Sequence, residues 1–322
     1  MLDALATEEH FAEHLRPTWD ALPDSIRGEW HDTAPPTQGP LTLVASYGDL
    51  KKARRTGRRV IYSEHGAGQS YVGSRSGSYI GSPDRAGAVG VLVPGRDAAD
   101  RHCAVHPTIP AFPVGCPKLD DWHRCSSRGT SPESDAVIAL SWHWECRVVP
   151  EARSAFRHYH SVLHSLAREF RGRVIGHGHP RIIHQLARHY RRAGIEVVED
   201  LNEVMGRADI LAVDNSSVLY EFASLGRPTV ALNAPWYRRD IAHGLRFWSD
   251  IPGEQCDHPD DLAATIRRAL HDSSHAQRQR RDVIERVYGP CDGRAAERAV
   301  AAIVALHDRW EVTDATIAQS AS

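Results

Sequence analysis

The sequence predicts an α/β protein with two Rossmann-like domains, each a parallel sheet covered by helices. Short apolar runs of strand length alternate with helical segments on both sides of a polar, turn-rich stretch at residues 126–134. Strands that alternate with helices pair in parallel, because each helix returns the chain over the sheet. A chain of 322 residues is long enough to bury two such cores. We expect the two domains to face each other across a cleft.

Turn-rich segments set the expected domain limits. One amphipathic helix precedes Pro35-Pro36, which predicts an N-terminal helical extension over residues 1–38. We expect the first Rossmann-like domain at 39–130 and the second at 131–322, the second carrying the C-terminal helices.

Composition limits the classes of function. The net charge of -2 argues against a dedicated nucleic-acid binder, which needs a strong basic excess. Six cysteines without a CxxC pair are typical of reduced thiols in a cytoplasmic protein. The N-terminus has no signal-peptide pattern, and no run of about 18 apolar residues is present. We therefore expect a cytoplasmic protein.

A basic segment at residues 51–59 follows the first predicted strand of the 39–130 domain. Lys51, Arg54, Arg55 and Arg58 are spaced to share one helix face. A solvated surface is the simpler interpretation of this face. The alternative is peripheral contact with an anionic membrane surface or a polyanionic acceptor.

A His-Gly pair, His65-Gly66, follows the apolar run ending at Tyr62 after Ser63 and Glu64. Glycine lets the backbone approach a ligand closely, and an imidazole can take a proton near neutral pH. The pair predicts a functional histidine at the end of a strand.

The stretch 209–232 predicts a strand, a polar turn, a helix and a second strand. Ile210 to Val213 is the first apolar run, Gly226 ends the helix, and Thr229 to Leu232 is the second run. Ligands of open α/β sheets bind at the carboxyl ends of strands, where a helix N-terminus suits a phosphate. The candidate ligand-binding residues are Asp214, Asn215, Ser216, Ser217 and, one turn into the helix, Glu221.

His179 also follows a predicted strand, next to glycine and proline. It could steady a phosphate, opposite His65, if the two domains enclose one ligand. His177 and His179 could instead form half of a metal site, but no cysteine or acidic partner stands at ligand spacing. We therefore expect no metal.

These motifs resemble, in order and approximate spacing, those of the CDP-glycerol glycerophosphotransferase family, the teichoic-acid polymerases and primases. The resemblance extends over roughly residues 40–290. The matching motifs are His65-Gly66, Gly115-Cys-Pro-Lys118-Leu-Asp120, Ser141-Trp-His-Trp144 as a loose match, His179-Pro180, and Ala208-Asp209 through Asp214-Asn-Ser-Ser217 to Glu221-Phe-Ala223.

The resemblance implies a GT-B pair of domains, with the acceptor side first and the nucleotide-donor side second. The enzyme would move a glycerol-phosphate-like group from a CDP-linked donor to a hydroxyl acceptor, lipid-linked or polymeric, and release CMP. His65 would be the base and His179 would offset phosphoryl charge. The donor, a substrate rather than a cofactor, would be held by Gly66, Lys118, Asp214, Asn215, Ser216, Ser217 and Glu221.

Two other classes stay open. The strand–turn–Glu221 pattern also resembles GT-B nucleotide-sugar glycosyltransferases and UDP-N-acetylglucosamine 2-epimerases. The second is a non-catalytic nucleotide-binding homologue: loop 67–72 lacks the family's Thr-Pro and lysines, and Asn215 replaces a tyrosine.

Overall fold

The computed structural model describes residues 1–33, 41–67, 85–125, 132–147, 150–239, 248 and 250–320. The expected domain limits at 38/39 and 130/131, and residues 68–72 of the loop after His65, lie outside these residues.

Short strands and helices alternate along the described chain. The strands are β1 (Leu2–Leu5), β2 (Arg27–His31), β3 (Leu41–Val44), β4 (Val60–Ser63), β5 (Ala88–Val93), β6 (Ala111–Pro113), β7 (Ile138–Ser141), β8 (Val174–Gly176), β9 (Glu196–Val197), β10 (Ile210–Val213), β11 (Thr229–Leu232) and β12 (Glu254–Cys256). The helices are α1 (Glu9–Asp20), α2 (Tyr47–Arg55), α3 (Arg96–Val105), α4 (Asp120–Cys125), α5 (Phe156–Tyr159), α6 (Leu163–Glu169), α7 (Ile183–Ala193), α8 (Leu201–Arg207), α9 (Val218–Ala223), α10 (Leu262–His271), α11 (Ser274–Tyr288) and α12 (Ala295–Ser320).

The strands form two separate sheets in which every pairing is parallel. In the described residues, the first sheet has the order β2-β1-β3-β4-β5-β6 and the second the order β12-β11-β10-β7-β8-β9. The predicted α/β class with two Rossmann-like sheets is confirmed.

The first compact unit contains Met1–Ala67, the described residues up to Cys125, and the chain from Glu285 onward. Residues 1–38 were expected to be a helical extension, but β1 lies between β2 and β3 inside the first sheet. Leu2 and Leu5 are fully buried in this unit's core. The expectation was wrong because a four-residue strand gives little sequence pattern, and only its neighbours decide its position.

Helix α12 also differs from expectation. We assigned the C-terminal helices to the second domain, but the start of α12 packs on the first sheet. A Cβ placed on Gly90 of β5 would lie 2.6 Å from the Leu306 Cδ1 atom, so a larger residue there would require the Leu306 side chain to shift. Ala299, Ile303 and Leu306 recur at helical spacing and belong to the first unit's core.

The second compact unit contains the described residues from 132 to Ile284. β10, α9 and β11 lie where the sequence predicts them, and every residue of the two strands is buried. Gly226, after α9, has φ +78, which a residue with a Cβ rarely adopts. This unit therefore presents the polar turn 214–217 at the carboxyl end of a buried strand.

The spacing of the basic segment 51–59 predicts one exposed face, but not all of its side chains are exposed. Helix α2 ends at Arg55, and the Arg58 side chain is buried, where it donates to the Asp3 carboxylate and the Thr42 hydroxyl. Arg58 therefore does not belong to the expected basic face. Lys52, Arg54, Arg55 and Arg59 are exposed.

Within the described residues, no helix has the length and apolarity needed to cross a membrane. All six cysteines lie in this described part, and none of them forms a disulfide.

Candidate functional site

His65 lies in a pocket at the carboxyl end of the first sheet. The loops after β4, β5 and β6 form its walls together with α1 and the end of α11. The pocket is open to solvent, and the space in it, open solvent included, is about 270 Å³. Its lining residues are His14, Ser63, Glu64, His65, Gly66, Pro94, Gly115, Cys116, Pro117 and Tyr288. All of them belong to the first unit.

The main chain fixes the orientation of the His65 ring. Its Nδ1 atom is 2.6 Å from the carbonyl oxygen of Ala45. A carbonyl only accepts, so Nδ1 carries the proton and Nε2 of the neutral ring keeps its lone pair. The ring of Phe11 meets the His65 ring edge-on, with centroids 4.7 Å apart. This is the tautomer that a base acting through Nε2 requires.

Electrostatics keeps His65 neutral near pH 7. Burial lowers the pKa of His65, and the neighbouring Glu64 carboxylate and the Ala45 carbonyl oppose that shift only in part. Arg85 donates two hydrogen bonds to Glu64, one of them at 3.4 Å. Although burial alone would raise it, the Arg85 guanidinium holds the pKa of Glu64 below its ordinary value. The carboxylate is therefore charged but largely neutralised by its partner.

Backbone conformation and contacts explain the residue types in the segment Gly115 to Asp120. Gly115 has φ +92, and a Cβ there would lie 2.9 Å from Ala295 Cβ. The buried Asp120 carboxylate accepts the backbone N–H groups of Ala295 and Ala296 at 2.9 and 2.8 Å, at the start of α12. Lys118, between them, is half-buried. The motif thus anchors α12 beside the pocket.

Three loops meet at the carboxyl end of the second sheet. β7 pairs with β10 on one side and with β8 on the other, so the residues after these strands are neighbours. The N–H of His179 donates to the Trp142 carbonyl at 2.9 Å, and the His143 and His179 rings are 5.7 Å apart. This arrangement brings His179 to the same sheet edge as the 214–217 turn.

The Asp214 carboxylate connects these loops through hydrogen bonds. Its carboxylate accepts the N–H groups of His143 and Ala155 at 2.7 and 2.8 Å, and the Ser154 hydroxyl at 3.3 Å. The side chain is fully buried, and burial raises its pKa to about 7 against the pull of these donors. The structure therefore gives Asp214 internal partners rather than an orientation toward a ligand.

The rest of the polar turn is also tightly packed. Asn215 is buried and donates to the Glu151 carbonyl at 2.7 Å. Ser216 is 8% exposed and its hydroxyl accepts the Val218 N–H at 3.4 Å, whereas Ser217, the first residue before α9, makes no side-chain cap. Glu221 is 1% exposed. Ser217 is thus the most accessible member of the predicted donor-binding set in this turn.

His179 has the tautomer that suits contact with an anion. The N–H of Arg181 donates to its Nδ1 at 3.2 Å, so the ring proton is on Nε2, which can donate. The guanidinium of Arg181 stands 4.7 Å over the Trp144 ring. His143 is neutral, since burial lowers its pKa to about 4 while its Nδ1 donates to the carbonyls of Trp144 and Ala152.

The His177–His179 pair does not converge. His177 is buried with its Nδ1 2.8 Å from the Ser141 hydroxyl, and Gly178 between them packs against Leu186. Among the residues that the structure describes, no group of three or more histidine, cysteine or acidic side chains is arranged to hold a metal ion.

Three residues at these sites were not singled out from the sequence. His14 lines the first pocket, Arg85 pairs with Glu64 of that pocket, and His143 lies beside His179. The position of His143 two residues after a strand could have identified it. His14 had no such signal, because α1 was interpreted only through its apolar face.

Two parallel sheets with sites at their carboxyl ends define the protein as a two-unit α/β protein of the Rossmann-like, GT-B type. Residues 163–305 match the model of the CDP-Glycerol:Poly(glycerophosphate) glycerophosphotransferase family. Over these residues the chain resembles that family. The resemblance inferred from the sequence is confirmed there, and with it the enzyme class, a CDP-glycerol glycerophosphotransferase-type transferase.

Solved structures support the fold. The wall teichoic acid polymerase TagF, soaked with CDPG, is 16% identical with a TM-score of 0.59, covering 84% of this chain and 72% of TagF. MnaA of S. aureus, solved with UDP, is 13% identical with a TM-score of 0.63, covering 93% and 94%. A putative UDP-N-acetylglucosamine 2-epimerase from Listeria monocytogenes is 12% identical with a TM-score of 0.60, covering 96% of both chains. No curated protein matches the sequence.

Proposed function

We propose that the protein transfers glycerol phosphate from CDP-glycerol to the terminal hydroxyl of a poly(glycerophosphate)-type acceptor in teichoic-acid-like polymer synthesis. The observation that carries this proposal is the family match over residues 163–305, which contains His179 and the whole 214–221 motif. The match does not favour the epimerase and glycosyltransferase alternatives, whose representatives share the fold only.

The reaction balances without a further reactant. The acceptor oxygen attacks the phosphorus that bears glycerol, and a new P–O bond forms. The bond from that phosphorus to the bridging oxygen breaks, and CMP leaves with both bonding electrons. The acceptor proton goes to a base. His65 is proposed for this task, since its Nε2 is the unprotonated nitrogen and its lowered pKa keeps it neutral.

The second unit is proposed to hold the donor. Nε2–H of His179 would donate to the transferred phosphoryl group, whose oxygens gain charge in the transition state. Ser216 and Ser217 would bind the diphosphate and Glu221 the ribose. Asp214 and Asn215, with their internal partners, are proposed to shape this turn. In the first unit, Gly66 and Lys118 would add contacts and charge for phosphate.

Gly66 has room for such a contact. No atom of the described residues lies within 4 Å of the position that a Cβ would take there.

The site of action is proposed to be cytoplasmic, with peripheral contact at the inner face of the membrane. The exposed side chains of Lys52, Arg54, Arg55 and Arg59 supply a positive surface that suits an anionic membrane or polyanionic acceptor. The acceptor, lipid-linked or polymeric, would be held near this surface.

Ligand-dependent thermal stability tests the donor. A ligand that binds only the folded state raises stability by the logarithm of its concentration over its Kd. We expect CDP-glycerol to raise the unfolding midpoint more than CDP, and UDP-N-acetylglucosamine to have no effect. Ser217→Tyr should abolish the shift by filling the turn, whereas Ser165→Tyr, at an exposed position of α6, should leave it unchanged. A larger shift with UDP-N-acetylglucosamine would contradict the proposed donor.

A further inference from the structure

The pocket around His65 contains a second imidazole, that of His14. It comes from α1, directly before the buried Leu15, and it lines the same space as His65. The two ring centroids are 5.9 Å apart and the rings are nearly perpendicular at 69°. The two rings therefore border the same space, and a small polar ligand that lies against both of them can contact each ring.

The charge state of His14 suits a neutral, hydrogen-bonding ligand. Burial, reinforced by the positive charge of Lys118 and by His65 and His10, lowers the pKa of His14 well below its ordinary value of 6.5. A neutral imidazole offers one donor and one acceptor. The pocket thus presents two neutral imidazoles beside Glu64, whose charge is paired with Arg85.

The chemistry of the proposed acceptor supplies such a ligand. A poly(glycerophosphate) chain ends in a glycerol unit with two hydroxyl groups on adjacent carbons. One of them would react, and its neighbour lies within one carbon–carbon bond of it. Each hydroxyl needs a partner when it leaves water, because an unpaired polar group in a closed site costs free energy.

We propose that His14 binds the second, non-reacting hydroxyl of this vicinal diol while His65 faces the reacting one. The inference rests on the proposed function and adds to it a residue that selects the acceptor end. His14 would act on acceptor recognition and would leave donor binding unaffected.

Two synthetic acceptors separate this role from a structural one. One ends in glycerol phosphate, a vicinal diol, and the other in 3-hydroxypropyl phosphate, which keeps only the primary hydroxyl. CMP release with CDP-glycerol is measured for wild type, His14→Ala and His14→Gln. His106→Gln is the matched control, in the same unit and outside the pocket lining.

We expect the loss of His14 to affect the diol acceptor and not the 3-hydroxypropyl acceptor. His14→Ala should lower kcat/KM for the diol acceptor about five- to tenfold, the weight of one neutral hydrogen bond. It should leave the 3-hydroxypropyl acceptor and the KM for CDP-glycerol unchanged. Gln, which keeps a donor and an acceptor, should restore part of the loss, and His106→Gln should behave as wild type. If His14→Ala fails to fold, the Gln variant carries the same comparison between acceptors.

Equal losses with both acceptors, or no loss with either in a folded variant, would overturn the role of His14 and leave the proposed function standing. Absence of CMP release by the wild type with CDP-glycerol and the diol acceptor would overturn both.

Discussion

The Nδ1 atom of His65 donates to the carbonyl oxygen of Ala45 over 2.6 Å, and this single contact sets which ring nitrogen is available for chemistry. Ala45 directly follows β3 and His65 follows β4, two paired strands of the first sheet. The sheet itself therefore fixes the tautomer, and any role of His65 as a base passes through Nε2.

Replacement of His65 tests that role. His65→Ala should lower turnover by about 100-fold or more, the usual contribution of a general base. CMP release with CDP-glycerol and a saturating acceptor measures it, and donor-induced thermal stabilisation shows whether binding survives. His106→Ala, on the same unit but outside the pocket, is the matched control. Nearly unchanged turnover would remove His65 from the role.

The pH profile gives an independent check. The pKa of His65 lies below its ordinary value of 6.5 because of burial. A base works in its unprotonated form, so kcat/KM should rise with pH along a limb centred below 6.5 and then reach a plateau. A limb centred above 6.5 would be inconsistent with His65 as the base.

The buried Glu64–Arg85 pair should tune this limb in opposite directions. The Glu64 charge raises the pKa of His65 and the Arg85 charge lowers it. Glu64→Gln should therefore move the acidic limb to lower pH, and Arg85→Gln should move it to higher pH. The kcat/KM profiles of both variants are the measurement. Shifts of the same sign would contradict the electrostatic explanation.

Asp120 should matter for stability rather than chemistry. Loss of its carboxylate removes the acceptor for two N–H groups at the start of α12. Asp120→Ala should lower the free energy of unfolding by about 1–2 kcal/mol, the range for a lost helix cap. The neighbouring Asp121, whose side chain is 90% exposed, is the control, and Asp121→Ala should cost far less. Equal effects in urea titrations would argue against the cap.

The raised pKa of Asp214 predicts that the stability of the folded protein depends on pH. Its pKa is raised from 3.8 to about 7 in the folded protein. The folded state then binds more protons than the unfolded one between these values, so the contribution of Asp214 is complete below pH 4 and lost by about pH 7. The free energy of unfolding of wild type relative to Asp214→Asn should fall across this interval and stay level above it. A rise with pH would show that Asp214 is ionised when folded.

The sequence predicted the second unit's central segment well. β10 and β11 are apolar runs bounded by polar turns and glycine, and both strands begin and end at the predicted residues. Every residue in them is buried, so local pattern and tertiary environment agree.

Prediction was weaker where contacts with residues distant in the sequence decide the position of an element. β1 has only four residues, and α12 carries an apolar face whose partner sheet cannot be read from its own sequence. Likewise, sequence spacing cannot tell an aspartate directed into the protein from one directed at a ligand. Asp214 was therefore predicted as a ligand-binding residue, although its described contacts are internal.

The most direct test of the central claim is the mass of the acceptor after incubation with CDP-glycerol. The account predicts that an acceptor ending in glycerol phosphate gains whole glycerol-phosphate units, with one CMP released for each unit added. CMP formed without any gain in acceptor mass, or a gain in mass from a UDP-sugar instead, would contradict it.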